Sequence, residues 1–91
     1  MIKLGGAITL EGFESMEPAK LVVAKKMIGI CAKKASESMG NLESFNVLIE
    51  GNNVKVNTKA GEKSSEAFAE GENFFMALSR ALSEIETKAK A

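Results

Sequence analysis

The chain has 91 residues, 45% of them hydrophobic and 26% charged, and its 12 basic and 12 acidic residues balance to a net charge of zero. A chain of this size and composition forms one globular domain, residues 1–91, and no stretch approaches the roughly 20 apolar residues of a membrane span. The N-terminal segment lacks the long apolar run and cleavage site of a secretory signal, so we expect a cytoplasmic protein.

The residue types that are absent exclude most catalytic and metal sites. The sequence contains no His, Trp or Tyr, and all of its acidic residues are Glu. Cys31 is the only cysteine, so no intramolecular disulfide is expected, and its place on the core side of a predicted helix indicates a buried structural thiol. Zinc sites need Cys and His clusters and calcium loops normally use Asp, so we expect neither a metal nor a cofactor.

Residues 2–10 predict the first strand, because their alternate positions are apolar and would face one side of a sheet. These positions are Ile2, Leu4, Ile8 and Leu10. Gly5-Gly6 interrupts the pattern, which indicates a bulge or a close approach to a neighbouring backbone.

Pro18 to Met39 predict the first helix. Pro18 suits the first helical turn, and Gly40-Asn41 is a typical signal for a helix end. Apolar residues recur at helical spacing along one side, which we expect to face the core. They are Leu21, Ala24, Ile28, Cys31, Ala35 and Met39.

The opposite side of this helix mixes lysines with apolar residues, whereas an ordinary solvated helix face is polar throughout. The residues are Val22, Val23, Lys26, Ile30, Lys33 and Lys34. Such a mixture suggests a docking surface. Residues 18–39 carry five Lys and one Glu, and residues 62–72 carry four Glu and one Lys. We therefore expect one basic and one acidic side.

Three short strands follow at residues 44–50, 53–59 and 64–70. The first two alternate apolar and polar residues, and the Gly-Asn-Asn sequence between them predicts a tight hairpin. In the third strand Ala67 and Ala69 share one side and Phe68 takes the other. Small residues facing inward would allow a helix to lie close to the sheet.

The last helix spans Asn73 to Lys90, with Asn73 as its N-cap. Its apolar stripe comprises Phe74, Leu78, Ala81, Leu82, Ile85 and Ala89, and Phe75 borders it. The order is β-α-β-β-β-α and both helices are apolar on one side. The sequence therefore predicts an α+β two-layer sandwich, with two helices on one face of a four-stranded sheet.

This order and the pattern of residues 54–88 resemble the ribosome hibernation-promoting and ribosome-associated inhibitor proteins. In that family a hairpin leads into a strand rich in small residues, a Gly-acid turn and an aromatic-containing helix. The matching positions here are Ala67, Ala69, Gly71, Glu72, Phe75, Ala77, Leu82 and Ile85. The first half matches in layout, with a strand, a Glu-rich loop and a helix that begins near Pro18.

The resemblance implies binding to the small ribosomal subunit, with basic helix faces against ribosomal RNA. The first hypothesis is thus an RNA-binding translation or hibernation factor. Its candidate contacts are the lysines of the first helix, with Lys55 and Lys59 as additional candidates. The helical lysines are Lys20, Lys25, Lys26, Lys33 and Lys34.

A second hypothesis is a protein-interaction or self-associating domain. Val22, Val23 and Ile30 would form the apolar centre of an interface with a lysine rim. The acidic segment 62–72 would complement that rim in a partner copy. The alternative to the first hypothesis is a merely solvated lysine face. The alternative to the second is a helical phase shifted by one residue, or a neighbouring loop that covers these apolar side chains.

The third hypothesis, an enzyme with a small-molecule substrate, is not favoured. General acid–base catalysis uses His or paired carboxylates in a cleft. Glu66 and Glu70 share one side of a predicted strand, but alternating Glu on an outward strand face is usually solvated. No base is available to activate a serine nucleophile.

Overall fold

The computed structural model of the chain describes residues 2–3, 7–14, 16–40 and 42–90. The five strands form one sheet in chain order, with β2 and β3 parallel and the other neighbours antiparallel. The two helices pack on one face of the sheet, which confirms the α+β sandwich. The elements are β1 (Ile2–Lys3), β2 (Ile8–Glu11), α1 (Pro18–Met39), β3 (Ser44–Glu50), β4 (Asn53–Ala60), β5 (Lys63–Glu70) and α2 (Phe74–Lys90).

The prediction of one continuous strand over residues 2–10 is wrong. The chain folds back on itself, so that β1 pairs antiparallel with β2 and Ile2 lies opposite Leu10. Directly opposed residues of an antiparallel pair share one face. The same alternation of apolar residues therefore arises in one continuous strand and in two short antiparallel strands joined by a turn. Leu4 and the bulge expected at Gly5-Gly6 lie outside the described residues.

Helix α1 has the predicted bounds. Pro18 occupies its first turn, where the missing N–H has no intrahelical acceptor. The helix ends at Gly40, whose φ is 94° and whose N–H donates to the Ser36 carbonyl at 2.9 Å. The predicted core side packs into the hydrophobic core, and Leu21 and Met39, near the two ends of the helix, are partly buried. The buried residues are Ala24, Ile28, Cys31, Ala32 and Ala35.

Strands β3 to β5 form the predicted meander. Gly51 and Gly61 open the two tight turns with φ of 61° and 62°, a left-handed conformation that suits glycine. The inward side chains form the floor of the core, and the buried Thr58 hydroxyl donates to the Ser65 carbonyl. The floor residues include Phe45, Val47, Val54, Val56 and Ala67.

Helix α2 starts as predicted, because the Asn73 side chain accepts a hydrogen bond from the Met76 N–H at 3.0 Å. One side of the helix is buried against α1 and the sheet. The buried residues are Ala77, Leu78, Ala81, Leu82 and Ile85.

The loop between β2 and α1 contributes a core residue that the sequence pattern did not indicate. Phe13 is fully buried and packs edge-to-face on Phe74, with ring centroids 5.7 Å apart. Its neighbour Gly12 has a φ of 84°, and a Cβ there would lie 2.3 Å from the Ile49 carbonyl oxygen. The loop is thus held against the sheet just before α1 begins.

Candidate binding surface on the first helix

The exposed side of α1 combines apolar and basic side chains, as the sequence predicts. Val22, Val23 and Ile30 are 65%, 48% and 52% exposed, which is unusual for apolar side chains of this size. Lys26, Lys33 and Lys34 lie among them on the same side of the helix and are also exposed. We name these six residues the α1 surface.

The lysines of α1 are not equivalent. Lys20, Lys26, Lys33 and Lys34 are exposed, whereas Lys25 lies partly buried on the flank of the helix. At 1.5 Å per residue, the span from Lys20 to Lys34 is about 21 Å. Lys34 Nζ lies 3.8 Å from Glu86 Oε1 of α2, a loose pair that leaves most of its charge open to solvent.

Lys26 and Lys33 are the central positive charges of the α1 surface. Within the part of the chain that the structure describes, neither forms an ion pair. Glu37, near the end of the helix, is the single acidic side chain of α1. The surface therefore has a positive local potential although the whole chain is neutral.

A groove between α1 and α2 borders the α1 surface. Its volume is about 230 Å³, and its lining includes Met27, Ile30, Ser79, Ser83 and Glu86. Because Ile30 belongs to both features, the groove extends the apolar centre of the α1 surface toward α2. Met27 is flexible and polarizable, so the groove can adapt to differently shaped side chains.

The two additional lysine candidates lie on the other side of the molecule. Lys55 and Lys59 point outward from β4, while the helices cover the inward side. Lys55 Nζ is 3.0 Å from Glu66 Oε1 of the neighbouring strand. The structure therefore groups the α1 lysines but does not bring Lys55 and Lys59 to the same surface.

The uncovered face of the sheet carries an acidic surface with an apolar centre. Leu48, Lys55 and Phe68 are side by side in the strand register, and Phe68 is 57% exposed. Three exposed carboxylates surround this row. We name the acidic sheet surface by its residues, which are Leu48, Glu50, Lys55, Glu66, Phe68 and Glu70.

The charge of residues 62–72 indicated two of the three carboxylates of this surface, Glu66 and Glu70, but not its apolar centre. The signal was present, because Phe68 alternates with the inward Ala67 and Ala69. An apolar aromatic residue on the outward parity is the feature that identifies such a centre. Glu66 and Glu70 are exposed on this open face, as expected for solvated carboxylates, and Glu66 is paired with Lys55.

Cys31 has the buried position that was predicted. Its thiol lies 3.6 Å from the Leu82 carbonyl oxygen, to which it donates a weak hydrogen bond. Burial, together with the negative charge of Glu86, raises the pKa of the Cys31 thiol to about 12. At neutral pH the thiol is therefore protonated and a poor nucleophile.

The described residues contain no cluster of three or more potential Cys, His or carboxylate metal ligands. Neither α1 nor α2 is long and apolar enough to cross a membrane.

Comparison with solved structures shows two proteins with the same fold. The chain aligns with a ribosomal subunit interface protein from Coxiella burnetii at a TM-score of 0.66, covering 91% of this chain and 92% of that chain at 15% identity. It aligns with the Protein Y N-terminal domain from Thermus thermophilus at a TM-score of 0.64, covering 93% and 94% at 13% identity.

The resemblance predicted from residues 54–88 is thereby confirmed at the level of the fold. No family model matches the sequence. No curated protein matches it either. Because the sequence matches no family, a proposed function must be supported by the residues that the fold brings together at the surface.

Proposed function

We propose that the chain is a non-enzymatic, cytoplasmic, ribosome-associated module that contacts ribosomal RNA of the small subunit through the lysines of α1. One observation carries the proposal. Lys20, Lys26, Lys33 and Lys34 are exposed along one helix, with no acidic residue before Glu37. The fold is that of a ribosomal subunit interface protein, which makes the ribosome the partner to test first.

The expected mode of binding is electrostatic. Lysines neutralise phosphates and release counterions, so affinity falls with salt by a slope of about 0.7–0.9 per contacted phosphate. The α1 surface has no aromatic side chain on which a base could stack. We therefore expect weak affinity for isolated RNA, with Kd on the order of 10⁻⁴–10⁻⁶ M, and recognition of RNA shape rather than sequence.

Replacing both central lysines tests the proposal. We expect Lys26→Glu combined with Lys33→Glu to weaken binding by about tenfold or more and to reduce the salt slope, because two phosphate contacts become repulsive. Filter-binding titrations with small ribosomal subunits and with their purified RNA, at about 50 and about 200 mM salt, measure both quantities.

The matched control is Lys59→Glu combined with Lys63→Glu. It changes the net charge by the same amount, but its residues lie at the end of the β4–β5 hairpin, away from α1. The control should bind like the unmodified chain. Equal weakening by both double variants, or binding that does not depend on salt, contradicts an RNA contact through α1.

The exposed apolar residues favour a second candidate function, the recognition of a protein. Val22, Val23 and Ile30 together place three apolar side chains in solvent at the centre of a lysine rim. Interfaces commonly have this arrangement of an apolar centre and a polar rim. Pull-down from a lysate with and without nuclease separates the two candidates. Loss of the captured partner with nuclease supports RNA binding, whereas nuclease-resistant capture that Ile30→Glu abolishes supports protein recognition.

A further inference from the structure

Two surfaces of opposite charge lie on opposite sides of this molecule. The α1 surface is on the helix layer and has Val23 and Ile30 among lysines. The acidic sheet surface is on the uncovered side of the sheet and has Leu48 and Phe68 on either side of Lys55, with three carboxylates around them. Each surface therefore presents an exposed apolar centre and a charged rim, and the two rims have opposite signs.

The spacings of the two surfaces are compatible. Val23 and Ile30 are seven residues apart on a helix, which is about 10 Å along its axis. Leu48 and Phe68 are separated by one intervening strand, which is also about 10 Å. The apolar centres can therefore lie against each other over the same length.

The charges follow the same spacing. Lys26 and Lys33 are about 10 Å apart along α1. Glu50 and Glu70 are opposite the same residue, Asn53, and so are separated by about two strand spacings, again near 10 Å. With Val23 and Ile30 over Leu48 and Phe68, Lys26 lies over β4, which carries Lys55, and Lys33 lies about 4.5 Å past the end of the row. Each lysine side chain must therefore extend sideways along the surface to reach Glu50 or Glu70.

We propose that copies of this chain associate head to tail, with the α1 surface of one copy on the acidic sheet surface of the next. Contact between two α1 surfaces would oppose lysines to lysines, and contact between two acidic sheet surfaces would oppose carboxylates to carboxylates. The head-to-tail arrangement avoids both. Each copy retains one unoccupied surface of each kind, so the assembly grows into a chain or closes into a ring.

The size of the molecule limits the strength of this contact. Its dimensions are 34 × 25 × 17 Å, so full overlap of two broad faces approaches the roughly 800 Å² per partner of a standard interface. Partial overlap is smaller. We therefore expect association that rises with protein concentration and weakens with salt, rather than a permanent oligomer.

Two single variants test the head-to-tail geometry. Ile30→Glu disables the α1 surface and leaves the acidic sheet surface intact, whereas Phe68→Ser does the reverse. Each variant alone should be monomeric by analytical ultracentrifugation at concentrations up to about 500 μM, where the unmodified chain forms larger species. An equimolar mixture should form a one-to-one pair and nothing larger, because one functional surface of each kind remains.

The control is Thr87→Glu, which makes the same charge change as Ile30→Glu on an exposed position of α2. It should associate like the unmodified chain. Circular dichroism establishes that each variant is folded. Should either variant fail to fold, Lys26→Glu with Lys33→Glu and Glu66→Lys with Glu70→Lys replace the pair at exposed positions.

Three outcomes overturn the proposal. They are an unmodified chain that is monomeric throughout the concentration range, a mixture that does not pair, and association that survives Phe68→Ser. The proposal does not depend on RNA binding. Phe68→Ser retains every α1 lysine, so titrating this variant with small-subunit RNA tests the proposed function separately.

Discussion

Cys31 shows how burial sets the chemistry of a single side chain in this fold. Its thiol is enclosed between α1 and α2, and its pKa is raised to about 12 from an ordinary value of 9.0. Above pH 9 the unfolded chain loses this proton while the folded chain keeps it. The contribution of the thiol to stability is therefore complete below about pH 9 and is lost as the pH rises toward 12.

This difference predicts a pH dependence that one substitution removes. Between about pH 8.5 and pH 10.5 the free energy of unfolding should fall by about 2 kcal/mol more in the unmodified chain than in Cys31→Ala. Lysines titrate in both proteins and cancel in the comparison. Urea unfolding of both proteins across this range measures the difference. Parallel pH profiles would mean that the folded chain does not protect the thiol from ionisation.

At the scale of elements, β5 shows how an edge strand is protected. It has β4 on one side, and among the described residues no strand pairs with its other side. The Arg80 guanidinium of α2 donates to the Glu70 carbonyl at 2.9 Å, and Lys88 Nζ donates to the Glu66 carbonyl. Side chains of the covering helix thus occupy backbone acceptors that another strand would use.

The start of α2 provides a prediction about this same helix. Asn73→Ala removes the acceptor for the Met76 N–H and should lower the free energy of unfolding by about 1 kcal/mol. For a domain of this length the corresponding fall in Tm is about 4–8 °C. Thermal unfolding followed by circular dichroism measures it. Asn73→Ser retains a capping oxygen and should stay close to the unmodified chain. Equal losses in both variants would show that the cap does not act through its oxygen.

The elements also show which parts of the fold a sequence pattern determines. Both helices and the three meander strands were predicted nearly to the residue, because each has a clear 3.6- or 2-residue period between Gly, Pro or Asn signals. The pattern over residues 2–10 could not distinguish one continuous strand from two antiparallel strands joined by a turn. Phe13 was missed because a single aromatic residue in a Glu-rich loop has no period.

The candidate site was predictable to a similar extent. Helical phase alone placed Val22, Val23 and Ile30 opposite the core, and their exposure confirms that placement. The helical phase of α1 shows which side chains point away from the core. It does not show where the α1 surface lies relative to the strands. The separation of Lys55 from the α1 lysines, and the position of Phe68 among carboxylates, depend on strand register and required the structure.

At the scale of the whole molecule, zero net charge conceals two opposite surfaces. The helix layer is basic, whereas on the uncovered face of β3 to β5 the outward carboxylates Glu50, Glu66 and Glu70 outnumber the outward lysines Lys55 and Lys59 by one, so the positive charge is concentrated on the helix side. A partner with negative charge would orient the molecule with α1 toward it. The proposed RNA contact and the proposed head-to-tail association both use the α1 surface, so a single copy would make one contact or the other.

Competition between the two contacts follows from this shared surface. Adding small-subunit RNA to a concentrated, associated sample should disperse the assemblies into complexes with exposed sheet surfaces, because each contact excludes the other at α1. Sedimentation with absorbance of RNA and protein recorded separately measures this. Phe68→Ser, which we expect not to associate, should bind RNA without a dependence on protein concentration. Assemblies that bind RNA and keep their size would contradict a shared surface.

The close approach of Gly12 to Ile49 has a consequence for recognising distant relatives of this chain. A hydrophobic position tolerates exchange among Val, Ile, Leu and Met, so core patterns fade as sequences diverge. Glycine fits here because it has no Cβ. Any other amino acid would place its Cβ 2.3 Å from a backbone oxygen, and few tolerate this φ. A homologue that keeps this loop path must keep a glycine there, and one without it must route the chain differently into its first helix.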